Sequence, residues 1–442
     1  MAYNRCVDGV SVWPQSLRRY FVTIHLRDVD GNGQPLLLGN SVFQALKYMP
    51  RLTTLTVRAT SPSLPSDFVD LLAELTSLSV LELHQTRLDA PRQLRGPVML
   101  SALHSLVIRT SGFFAICRPP DLDVQMEQAN IQSFLAAVSG QLCALTVSGD
   151  LISASFAAIS WPKLTSFSIT EHPPVQQMHL HQLVGRMPLL DTLHVLFTAD
   201  LANNRLPPFS LTEAEGDLAY MDQLTTVSIS NVAFSDPVFC HLPPMLLQLH
   251  LIALGDVFDA QVPRHRRNRF RHSNTWEARM NSTEAQQFLR GLGTFSQLSI
   301  LSIALSSQGP GELIASIAAV APQLRDLAIH CLPHDNNPLV LIDFEGRAQA
   351  IFAELRLFHG LESITWGLQY ITHEAHPGPP SHAAYRHFRE VPGLQWVTYI
   401  FGGYFDTIPS APLVFSWERG MLLHPEPPRI INTIRSASPI MM

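Results

Sequence analysis

The densest chemistry in this 442-residue sequence is Arg264-His265-Arg266-Arg267-Asn268-Arg269-Phe270-Arg271-His272, which places five arginines within eight residues. A guanidinium is permanently charged and offers a planar fork of donors that fits a carboxylate or a phosphate. Arg264, Arg266, Arg267, Arg269 and Arg271 are therefore candidate contacts for an acidic protein partner. Nucleic acid is the other polyanion such a cluster could take. The net charge of −6 gives no global basic field, however, and no RNA-binding motif accompanies the cluster. The expectation is a protein partner and no nucleic acid.

A second group, His373, His376, His382 and His387, has metal-ligand chemistry. Zinc needs several such nitrogens converging on one ion at about 2 Å. His373-Glu374-Ala375-His376 is not an H-E-x-x-H pair, and Pro377, Pro379 and Pro380 break any helix there. A polar insertion leading to a helix at 383–388 accounts for these residues. His179 and His181 lie two apart in a helical stretch, a spacing that points them different ways. Asp28-Val29-Asp30-Gly31-Asn32-Gly33 looks like the first half of a calcium loop. Its twelfth position is Gly39, where a bidentate Glu is required, so a polar turn is expected instead. No Walker loop, G-x-G-x-x-G, G-x-S-x-G elbow, kinase signature or C-x-x-C pair occurs. No catalytic residue, metal ligand or cofactor site is expected, and the chain reads as a non-enzyme.

The elements that must position any contact residue come from one recurring pattern, L-x-x-L-x-(L/I/V). Copies begin at Leu52, Leu78, Leu103, Leu142, Leu164, Leu190, Leu224, Leu246, Leu298, Leu324, Leu361 and Leu394, with a looser first copy at Phe21. Fixed self-similarity marks a repeat architecture. The last two apolar positions are two residues apart and share one face of a short strand. Helical spacing fills the intervals: Val42, Phe43, Leu46 and Met49; Phe68, Leu71, Leu72 and Leu75; and the stretches 131–138, 180–187, 288–292, 313–320 and 350–358. Asn281 followed by Glu284 reads as a helix start.

Strand, turn, helix, turn is the leucine-rich-repeat unit. One unit cannot bury its apolar face alone, whereas stacked units form a continuous core. Packed helices need about 8–10 Å and neighbouring strands about 4.8 Å, so the helical side fans out and the sheet becomes the concave wall. The fold class expected is an α/β leucine-rich-repeat solenoid, a right-handed horseshoe with a parallel concave sheet. Half of the steps between copies are 22 to 26 residues; the longest is 52, after Leu246. The residues flanking the second apolar position face the concave side. They are mostly hydroxyls, and Glu82, His194, His250 and Trp396 among them are candidate partner contacts.

The expected organisation is a lead-in over 1–20, the solenoid over 21–400 with insertions near 110–130, 255–280 and 331–346, and a cap with a frayed tail over 401–442. Apolar content of 46% supports a buried core. Five scattered cysteines (Cys6, Cys117, Cys143, Cys240 and Cys331) favour reduced thiols. No signal-peptide core and no apolar run of about 18 residues is visible. An intracellular, cytoplasmic or nuclear, monomeric protein without membrane contact is expected.

The irregular L-x-x-L-x-L units, several preceded by Pro (Met49-Pro50-Arg51-Leu52, Trp161-Pro162-Lys163-Leu164, Met187-Pro188-Leu189-Leu190, Ala321-Pro322-Gln323-Leu324), resemble the repeat half of fungal F-box/leucine-rich-repeat proteins over residues 21–400. The resemblance implies a partner-holding repeat surface. In that family an N-terminal F-box docks the cullin-ligase adaptor and the repeats hold the substrate, which implies substrate recognition for a ubiquitin ligase. No F-box-like L-P-x-E-(I/V)-(L/W)-x-x-I segment occurs here. The other reading is a stand-alone repeat-type regulator or inhibitor with no ligase link.

Overall fold

Each copy of the pattern becomes a strand that starts two residues after its first leucine. The computed structural model describes residues 22–27, 40–58, 64, 67–84, 86–88, 100–109, 124–171, 174, 179–197, 221–230, 237–252, 282–292, 295–305, 311–331, 351–371, 391–405, 408–409, 413–418 and 421–423. The chain divides into two compact units, Met1–Phe197 and Thr198–Met442.

In the first unit β1 (Thr23–Arg27), β2 (Thr54–Arg58), β3 (Val80–His84), β4 (Ser105–Arg109), β5 (Ala144–Ser148), β6 (Ser166–Glu171) and β7 (Thr192–Phe197) pair parallel, each with the next. Helices α1 (Asn40–Leu46), α2 (Phe68–Ala73), α3 (Val124–Val138) and α4 (Leu180–Val184) lie between them in the chain. In the second unit β8 (Thr226–Ser230), β9 (Gln248–Ile252), β10 (Ile300–Leu305), β11 (Asp326–Cys331), β12 (Ser363–Ile371) and β13 (Trp396–Phe405) likewise pair parallel in order. Helices α5 (Ser282–Gly291) and α6 (Gly311–Val320) belong to this unit. After β13 the direction reverses. β14 (Ile408–Pro409) and β15 (Leu413–Glu418) run antiparallel to β13, and β16 (Met421–Leu423) runs antiparallel to β15. Each unit is an α/β leucine-rich-repeat solenoid.

Three devices recur in nearly every repeat. The first is the leucine column. Leu52, Leu78, Leu103, Leu142 and Leu164 are wholly buried, as are Leu224, Leu246, Leu324 and Leu361. Beside them the inward strand pairs, such as Leu55 with Val57 and Leu81 with Leu83, are buried, as are the helix residues Phe43, Leu46, Phe68 and Leu72. The rings of Phe43 and Phe68 meet edge to face at 5.3 Å between centroids.

The second device is a tight turn into each strand. The Leu52 N–H donates to the Met49 carbonyl (3.0 Å), Leu190 to Met187 (3.1 Å) and Leu324 to Ala321 (3.3 Å). Proline at the second position of these three turns presets φ, which is why prolines precede several of the strands. One turn differs. In Val391-Pro392-Gly393-Leu394, Gly393 has φ +82°, the left-handed third position of a type II turn. Gly393→Ala is expected to cost about 1–2 kcal/mol through that backbone conformation. The loss would appear as a lower denaturation midpoint in urea.

The third device is a shared carbonyl. The Thr53 carbonyl accepts from both Ser79 N–H and Val80 N–H (each 2.9 Å), and the Ser79 carbonyl from both His104 (3.0 Å) and Ser105 (3.1 Å). Each acceptor follows its repeat's first leucine. The same geometry recurs through His104, Cys143 and Thr165, and in the second unit through Thr225, Leu247, Ser299, Arg325 and Glu362. Hydroxyls at this position add a third donor: Ser79 Oγ to the Thr53 carbonyl, Thr165 Oγ1 to that of Cys143 and Ser299 Oγ to that of Leu247, each at 3.1 Å.

The helices depart from expectation in length rather than place. α3 starts seven residues before the expected 131, and α4 stops three residues before the expected 187. In the two steps of only 22 residues, no α-helix occurs among the described residues. The β5–β6 connection holds two 3₁₀ turns, Gly149–Leu151 and Ala154–Ala158, and the described part of the β8–β9 connection holds one, Pro237–His241. His179 lies just before α4, in extended backbone, as its N-cap. The two histidine rings therefore stack, 5.7 Å apart at 13°, rather than facing different ways as helical spacing implied.

Candidate protein-binding face

With Leu55, Val57 and their equivalents turned to the helices, strand positions one, three and five lie on the opposite face. Strand pairing aligns them in rows. Across the first unit the third-position row reads His25, Thr56, Glu82, Val107, Thr146, Ser168 and His194. Across the second it reads Ser228, His250, Ser302, Ala328, Thr365 and Thr398. Glu82 and His194 thus share one row of one sheet, four strands apart, about 19 Å at ordinary strand spacing. His250 occupies the third-position row of the second unit, and Trp396 the first-position row beside Ser363.

The face is less open than a hydroxyl wall suggests. Thr56, Ser168, Thr170, Ser228 and Ser230 are buried. His194 is also buried, at 5% exposure, whereas Trp396 is exposed at 38%. Glu82 is half-buried and bound on two sides. The His84 imidazole Nε2 lies 3.2 Å from its Oε2, and Thr56 Oγ1 donates to the same oxygen at 3.2 Å. The hydrogen bond from His84 is the main reason that the Glu82 carboxyl is held below the usual carboxylate range. Thr56 and the charge of Arg58 act in the same direction, and burial opposes them.

Burial acts oppositely on two groups of the second unit. It lowers the pKa of His250 from its ordinary 6.5, and it raises that of Asp326 from 3.8, with Glu362 adding to the rise while Ser363 and Arg325 oppose it. Below pH 6.5 unfolded His250 binds a proton that the folded protein resists, so its contribution is present above that pH and lost as pH falls. Asp326 has the opposite sign: the folded state gains as pH drops through its raised pKa. The difference in urea midpoint between wild type and His250→Gln is expected to shift in favour of the variant from pH 7 to about pH 5.5. Asp326→Asn is expected to stabilise at pH 7.

Arg264, Arg266, Arg267, Arg269 and Arg271 lie outside the described residues, as do the 28–39 loop and the His373–His387 group. Asn281 and the tail beyond 423 also lie outside them. Among the described residues no group of three His, Cys, Asp or Glu side chains could hold a metal ion, and no helix is long and apolar enough to cross a membrane.

The fifth strand position lies beyond the repeat consensus. In the first unit that row begins Arg27, Arg58, His84, Arg109. The signal was present, since these residues fall six places after the starts of their repeats. The L-x-x-L-x-L consensus ends at the fourth strand position, and the strands run at least one residue further.

No protein-family model and no curated protein matches this sequence. Among solved structures, the yeast Rad7–Elc1 complex matches with 13% identity and a TM-score of 0.38, over 80% of this chain and 71% of that one. The TLR13–ssRNA13 complex matches with 13% identity and a TM-score of 0.30, over 89% and 57%. The Drosophila Toll–Spatzle complex matches with 11% identity and a TM-score of 0.18, over 75% and 52%. The chain thus spans about seven-tenths of the first and little more than half of the other two.

Proposed function

We propose that this protein is a non-enzymatic protein-binding scaffold that works through the face of its sheets that carries strand positions one, three and five. The observation that carries this reading is the registered rows: successive parallel strands each contribute side chains at fixed spacing to a broad surface. Such a surface recognises by shape and distributed contacts. It does not concentrate the carboxylates and histidines that acid–base catalysis would need. The net charge of −6 favours a protein partner over nucleic acid or an anionic membrane surface. The scaffold is read as a monomer working inside the cell.

The finer reading is substrate recognition for a cullin-type ubiquitin ligase, and its support is the likeness of the repeats to F-box/leucine-rich-repeat proteins. The alternative is a stand-alone regulator without a ligase link. Affinity purification of the tagged chain from its native host, followed by mass spectrometry, separates the two. Recovery of the cullin adaptor favours the ligase, and partners without the adaptor favour the regulator. Two variants test the face itself. Val107→Arg with Thr146→Arg adds bulk to the half-buried middle of the first unit's rows, and Ala129→Arg adds it to an exposed position on α3. Partners should be lost with the first and kept with the second. The reverse pattern overturns the face.

A further inference from the structure

The fifth-position row of the first unit is basic over four successive strands and neutral beyond them. Arg27 pairs in register with Arg58, Arg58 with His84, and His84 with Arg109. The next members of the row are Ser148, Thr170 and Leu196. This concentration sits in a chain whose overall charge is −6. Arg58 is exposed and His84 and Arg109 are partly so. The Nε–H of Arg109 is buried and meets no acceptor among the described residues, and the outer part of its guanidinium is what remains partly exposed. The acid in the adjoining third-position row, Glu82, already shows how this neighbourhood treats a carboxylate: it is bound by His84 and held ionised.

We propose that Arg58, His84 and Arg109 form a docking row for a carboxylate-rich extended segment of a protein partner. Spacing narrows the partner further. Arg58 and Arg109 are two strands apart, about 9.6 Å at ordinary strand spacing. In a polyproline-II segment residues i and i+3 project to the same side about 9.3 Å apart. Acidic residues three apart therefore meet the two guanidinium groups together, each able to accept a bidentate pair of hydrogen bonds. An α-helical segment places i and i+3 only about 4.5 Å apart along its axis and fits less well. The row rests on the reading of this face as a contact surface and specifies what touches it.

The test uses the full chain and a fluorescent peptide of repeating Glu-Pro-Pro, with the Gln-Pro-Pro peptide of equal length as control. The Glu peptide should bind, the Gln peptide should not, and added salt should weaken the complex. Arg58→Glu should lower the affinity at least tenfold, and Arg58→Gln with Arg109→Gln should do the same. Arg58 is exposed, so its substitution leaves the fold intact, and circular dichroism checks the double variant. Equal binding of both peptides, no binding of the Glu peptide, or unchanged affinity in Arg58→Glu overturns the row. Tighter binding of an oligouridylate than of the Glu peptide also overturns it, in favour of a phosphate backbone. If cellular partners are lost with Val107→Arg and Thr146→Arg but kept with Arg58→Glu, the contact face stands and the acidic segment falls.

Discussion

Phe167→Ala is expected to destabilise the first unit by about 3–5 kcal/mol, a large fraction of what holds a domain folded. Phe167 lies on β6 with none of its side chain exposed. Its ring stacks on Phe156, 5.7 Å between centroids at 19°, and Phe156 in turn lies 5.3 Å from Trp161. The chain between β5 and β6 supplies this filling with two 3₁₀ turns instead of an α-helix, so three aromatic rings do the packing that a helix does elsewhere. A rigid ring stack collapses poorly around a void, which places the loss at the upper end of the usual range. Urea unfolding followed by circular dichroism would measure it. Phe167→Leu keeps most of the volume and should recover more than half of the loss. A loss below about 1 kcal/mol for the alanine variant would mean that the stack is not the core of this repeat.

Glu127→Ala is expected to cost about 2–3 kcal/mol, unusually much for removal of a carboxylate. Glu127 is buried on α3, and its Oε1 accepts the N–H of Leu88 at 3.1 Å. One turn along the same helix, Asn130 Nδ2 donates to the Leu88 carbonyl. Both halves of a buried backbone unit are thus met by side chains three residues apart on one helical face. Removing Glu127 leaves the Leu88 N–H in the interior without its acceptor, and that desolvation is the expected cost. Hydrogen exchange at the Leu88 amide gives the site-specific reading. Protection should fall sharply in Glu127→Ala and partly return in Glu127→Gln, whose carbonyl oxygen still accepts. Unchanged protection in the alanine variant would sink the clamp.

The strands were readable in the sequence because a leucine at the turn and two apolar residues at strand spacing must point the same way. That constraint survives every change of connection length, so each strand begins where its repeat predicts. The polar clamp was not readable. Glu127 and Asn130 sit in a stretch whose apolar spacing starts at Ile131, and a pattern built on burial of carbon overlooks a carboxylate buried to satisfy a backbone amide. The face was half readable. Glu82, His194, His250 and Trp396 follow from alternation, but alternation carries no account of burial on this face, and His194 proves buried. The basic row escaped because the consensus ends one residue before the strand does. His84 and Arg109 were visible as residues, and only strand register shows them to be neighbours.

The shared carbonyl makes the joint between repeats indifferent to the length of chain that separates them. The Thr225 carbonyl takes the N–H groups of Leu247 and Gln248 after a step of 22 residues. The Leu247 carbonyl takes those of Ser299 and Ile300 after a step of 52, with β9 and β10 in the usual register. Closing the longer excursion costs only about 0.8 kcal/mol more in chain entropy. New segments can therefore be spliced between repeats at almost no thermodynamic penalty, because the register of the flanking strands does not depend on them. A scaffold jointed in this way can acquire a recognition loop in one evolutionary step, and a foreign loop could be grafted at the same place without redesigning its neighbours.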